Sequence, residues 1–71
     1  MSKFIKQVDK IRKELADYKE QQDMSFYTLG IDIRMTTKRN ISTVTINQLL
    51  NGSQPSIESL ITYKMYLEAT K

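Results

Sequence analysis

Apolar side chains recur at Phe4, Val8, Ile11, Leu15 and Tyr18, alternating steps of four and three that fall on one face of a helix running from Lys3 to about Gln22. Ser2 stands where a cap belongs, and Asp9 with Lys13 and Lys10 with Glu14 are spaced to pair across one turn, each pair worth about 0.2–0.5 kcal/mol. A coiled coil shares this spacing, but the pattern has no continuation beyond about three heptads. Asp23 or Ser25 can cap a second helix that carries Phe26, Leu29, Gly30 and Ile33 close to one face, with Gly30 leaving room for another helix to approach. From Ile41 to Ile46 the chain reads ISTVTI, a β-branched run with strand propensity. Its continuation through Asn47 and Gln48 puts Ile46, Leu49 and Leu50 on one helical face, and Asn51-Gly52 supplies a stop, so a helix is the better reading. Gly52 to Pro55 then forms a turn. A last helix opens at Ser56, is favoured by Glu58 near its positive end, and repeats Ile57, Leu60, Ile61, Lys64 and Leu67 at helical spacing. Tyr63, Met65 and Tyr66 add more apolar surface than one buried face needs, which marks them with Leu67 as a candidate partner interface.

Length narrows this to one unit. A chain of 71 residues makes a single domain, 1–71, that buries only about 60% of its unfolded surface. With no Cys and no His, thiolate and imidazole ligands are absent, so no metal or cofactor is expected and the fold rests on packing. No apolar run approaches the roughly 18 residues of a membrane span, and MSKFIKQVDK lacks the apolar core of a signal peptide. The expected location is the cytoplasm, without membrane association.

Charge separates the chain into parts. Eleven basic and eight acidic side chains give a net +3, and residues 1–24 are close to balance with six of one and five of the other. Residues 25–52 hold Arg34, Lys38 and Arg39 against Asp32 alone, so any surface for phosphate centres there. The acids and lysines of the first helix alternate along an exposed face. No nucleophile and base are placed together, and two glycines cannot build a phosphate-binding loop, so an enzyme with a small-molecule substrate is not expected.

Thr45-Ile46-Asn47-Gln48-Leu49-Leu50-Asn51-Gly52, followed by Pro55-Ser56-Ile57-Glu58-Ser59-Leu60, resembles the helix-turn-helix of the phage Cro and repressor proteins. In that family the recognition helix ends in a similar Asn-Gly pair, and the next helix opens on a similar Pro-Ser-apolar-acidic pattern. The resemblance covers roughly the second half of the chain and implies an all-α domain of four or five helices. The first half of the motif admits two registers. In one, Asn40 takes the left-handed turn position, Arg39 falls at a position the family makes apolar, Ser42 caps the recognition helix, and Thr43, Val44, Thr45 and Gln48 face DNA. In the other, Ser25 to Ile33 is the first motif helix, Thr36 caps the second, and Thr37, Lys38, Arg39 and Asn40 enter the groove, with about six residues inserted before Asn51-Gly52.

Taken together, the two registers make Thr37 to Gln48 the DNA-facing region. Gln48 or Asn40 can pair with adenine, Arg39 can bridge guanine acceptors, and Thr or Val methyl groups suit thymine, while Lys38 and Arg34 suit phosphate. The resemblance implies a phosphate contact for Asn51 as well. The function expected first is a transcriptional regulator that binds double-stranded operator DNA, as a homodimer, in a phage lysogeny/lysis switch inside the bacterial host. Ser53-Gln54, where relatives place basic residues, leaves the backbone grip lean. The alternative is therefore an antirepressor similar to the short modulators of repression in lactococcal phages, which forms a heterocomplex with the phage repressor and masks its DNA-binding surface.

Overall fold

The computed structural model describes residues 3–70, with side chains from residue 7 onward, so the Ser2 cap and the inward Phe4 lie outside the described residues. Four helices follow one another: α1 Lys3–Gln21, α2 Phe26–Thr37, α3 Thr43–Leu50 and α4 Ile57–Ala69. No strand occurs among the described residues, so the β-branched run is helical from Thr43 onward. Each of α2, α3 and α4 starts at a serine in extended conformation. Ser25, Ser42 and Ser56 accept the N–H of Thr28, Thr45 and Ser59 and so satisfy donors that the first turn leaves without partners.

The core is one cluster drawn from all four helices. Val8, Ile11 and Leu15 come from α1, Leu29 and Ile33 from α2, Ile46 and Leu49 from α3, and Leu60, Tyr63, Tyr66 and Leu67 from α4. α2 and α4 pack on each other, α1 lies against α4, and the short α3 is held between α2 and α1. The heptad-like stripe of α1 is thus the inner wall of a small globule.

α4 departs from the face its spacing suggests. Ile57 and Ile61 are exposed together with Lys64, and the helix turns Tyr63 and Tyr66 inward. Large rings bury more apolar area than isoleucine does, and Tyr66 also finds a polar partner: its hydroxyl donates to the Asp32 carboxylate while its ring meets the edge of Tyr18. Tyr63, Tyr66 and Leu67 are therefore core residues and not the partner interface expected from sequence. Of that set only Met65 is exposed.

Two glycines play different parts. Gly52 has φ of 104°, a left-handed conformation that ends the α3 segment, and its N–H donates to the Leu49 carbonyl. Gly30 is buried opposite α3, yet a Cβ there would sit 3.5 Å from Ile46 Cδ1 and 3.7 Å from Thr43 Oγ1, ordinary contact distances. Gly30→Ala is accordingly expected to stabilise the domain by about 0.5–1 kcal/mol through helix propensity. A fall in the midpoint of a urea melt would show that α2 and α3 need to approach more closely than this.

Candidate functional site

The basic segment forms the end of α2, the turn to α3 and the first turn of α3. α2 stops because Lys38 adopts a left-handed conformation with φ of 62°, its N–H donating to the Arg34 carbonyl. Thr37 reinforces the stop: its hydroxyl donates to the Ile33 carbonyl at 2.7 Å and accepts the Arg39 N–H at 3.2 Å. The first register expects Asn40 at the left-handed position, asparagine being the non-glycine residue that tolerates it best. The structure puts it two residues earlier. Ile41 is half-buried against the core and Arg39 is exposed, so the position that the first register expects to be apolar is not buried.

Each register meets this geometry only in part. Ser42 caps α3, as the first requires. Thr36 lies inside α2 and Thr37 is buried, so the second, which caps a helix at Thr36 and sends Thr37 outward, is overturned at those positions. α2 spans 12 residues, and residues 38–42 connect it to α3.

α3 turns Ile46 and Leu49 inward, with Leu50 half-buried. Outward lie Val44, Asn47, Gln48 and Asn51. Several predicted contact residues are committed locally. The half-buried Thr45 meets Ser42 Oγ at 2.8 Å through its hydroxyl, and Asn51 Nδ2 donates to Asn47 Oδ1 at 2.6 Å. Thr43 is half-buried at the helix start, whereas Arg34, Lys38, Arg39, Asn40 and Gln48 are exposed. The three cations form no ion pair among the described residues. The one acid of this segment, Asp32, is engaged by Tyr66. Three cations thus stand beside a helix that carries no charge of its own, with Glu58 of α4 lining the hollow next to Arg39 and Asn40.

Two features escaped the sequence reading. Tyr27, Ile31 and Met35 recur every four residues along α2 on the side away from its buried face, and they are 69%, 42% and 67% exposed. Val44 of α3 is also exposed, at 65%. A groove lined by Tyr27, Ile31, Arg34, Ile41 and Thr43 runs between the two helices. The signal was present as a second apolar repeat on α2, hidden by the Leu29/Ile33 repeat that makes the core. The other feature is Arg12 of α1. Its Nε donates to the Leu49 carbonyl at 2.7 Å and a terminal nitrogen to the Ser53 carbonyl at 3.1 Å, while its other terminal nitrogen is held by Asp9 at 2.7 Å. A cation at the carbonyl end of α3 suits the helix dipole and fixes α3 to α1.

The four helices among the described residues include none long and apolar enough to cross a membrane. Comparison with known proteins finds no matching family model, no matching curated protein and no matching solved structure.

Proposed function

We propose that this chain is a phage-type regulator of transcription that works through the α2–α3 face, capturing a repressor protein and withholding it from its operator. The observation that carries this reading is the exposed apolar stripe Tyr27, Ile31 and Met35 on α2, with Val44 exposed on the neighbouring α3, a helix without a cation. Protein–DNA interfaces are much more positively charged than protein–protein interfaces, and large exposed apolar patches mark protein contacts. Three cations release few counterions and support only weak binding to a duplex.

Direct operator binding is the second reading. Arg34, Lys38 and Arg39 beside the capped start of α3, with Gln48 outward, are suited to phosphate and base contacts. One design separates the two: operator duplex, a phage-type repressor and this chain are mixed pairwise and together, and followed by sedimentation. Co-sedimentation of chain with repressor and release of the duplex is the expected result. Tight, salt-sensitive binding of the chain alone to the duplex, with no complex with repressor, would replace the first reading with the second.

A further inference from the structure

We infer that the Tyr27/Ile31/Met35 ridge and the groove beside it dock an amphipathic helix of the partner protein, one whose apolar face is flanked by carboxylates. The inference deepens the capture reading and rests on it for the kind of partner, but its chemistry comes from the face itself.

Three observations specify the occupant. The ridge runs from Tyr27 to Met35, eight residues apart, a straight length of about 12 Å that matches two turns of a facing helix. The groove, about 210 Å³ in volume, lies between α2 and α3 and includes Ile31 and Ile41, so side chains at helical spacing on a partner have apolar walls to enter. Where the ridge meets the groove, the charged side chains that line it are cations. Arg34 lines this groove, and with Lys38 it also lines the adjoining hollow that contains Met35. Asp32, the one acid between residues 25 and 52, is tied to Tyr66. A partner helix flanked by lysine or arginine would meet like charge at this rim, and one flanked by glutamate or aspartate meets opposite charge. DNA is disfavoured as occupant because a duplex gives the ridge nothing apolar of comparable extent to bury.

The test uses the full chain against a displayed library of amphipathic helices with leucine, isoleucine and methionine on one face, flanked by glutamate in one half and by lysine in the other. Glutamate-flanked members are expected to be enriched about tenfold or more over lysine-flanked ones, and to lose about tenfold when salt is raised well above physiological strength. Tyr27→Ser with Met35→Ser should abolish the enrichment, and Arg34→Glu with Lys38→Glu should reverse its sign. These side chains are exposed, so circular dichroism should show the fold intact; the single change Ile31→Gln serves if the double variants do not fold. No enrichment, equal enrichment of the two halves, or self-association of the chain through the same ridge would overturn the inference. So would binding of a duplex that is weakened by Tyr27→Ser with Met35→Ser. A chain that captures a repressor but ignores the glutamate-flanked library would sink this docking chemistry and leave the capture reading standing; enrichment without repressor capture would do the reverse.

Discussion

Tyr66→Ala is expected to remove a large share of the chain's stability, read as a sharp fall in the urea midpoint. The ring is fully buried, and truncating a core aromatic costs about 3–5 kcal/mol, against about 4–10 kcal/mol of total stability for a domain this size. The change also strips the edge contact with Tyr18 and leaves the Asp32 carboxylate without the hydroxyl that now donates to it. Phenylalanine separates packing from hydrogen bonding. Tyr66→Phe keeps the ring and should cost about 1–3 kcal/mol, because a half-buried carboxylate loses its donor. Tyr63→Phe should be neutral or stabilising, since the Tyr63 hydroxyl is buried with no hydrogen-bond partner among the described residues. Urea melts of the three variants check the order. Equal losses for the two phenylalanine variants would show that the Asp32 bond contributes nothing.

The same tyrosines set an alkaline limit. Burial pushes Tyr63 up to about 12 and raises Tyr66 as well, with Asp32 adding to the rise. The unfolded chain ionises tyrosine near pH 10, so this contribution is complete below that pH and is lost as pH climbs toward and past 12. A thermal midpoint that is level to about pH 9 and then falls is the expected profile.

The second large effect concerns α3. With eight residues it is too short to be stable alone, and its inward grip consists mainly of Ile46 and Leu49. Ile46→Ala should cost about 2–5 kcal/mol and release α3 from Gly30 on α2. Hydrogen exchange is the sharper readout, because the amides of α3 should lose protection further than those of α1. Partner binding should fall with them. If α3 keeps its protection in the variant, the Arg12 clamp on Leu49 and Ser53 would be the principal restraint on this helix.

Much of the fold was legible in the residues themselves. The Val8/Ile11/Leu15 stripe, the Ser56 cap, the Asn51-Gly52 stop and the inward pair Ile46/Leu49 are local signals, and each appears where local chemistry puts it, whereas Ser25 and Ser42 are each one of two caps that the sequence allows. Tertiary choices were less visible. Periodicity puts Ile57 and Ile61 on the inside of α4 and leaves Tyr66 as surplus, and the decision falls to Asp32 and Tyr18, which lie 34 and 48 positions away from Tyr66 along the chain. The turn into α3 was obscured because lysine, at position 38, takes a conformation usually left to glycine or asparagine. The apolar ridge on α2 was missed because a helix with two apolar faces looks, in one dimension, like a helix with one.

These assignments meet in one surface whose partner can be mapped directly. The isotopically labelled chain is titrated with the DNA-binding domain of a phage-type repressor and, separately, with operator duplex, and amide and methyl shifts are followed. The account predicts that repressor perturbs Tyr27, Ile31, Met35 and Val44 most strongly and that the duplex leaves them unmoved. Strong shifts at Lys38, Arg39 and Gln48 with duplex, and none on α2 with repressor, would contradict it.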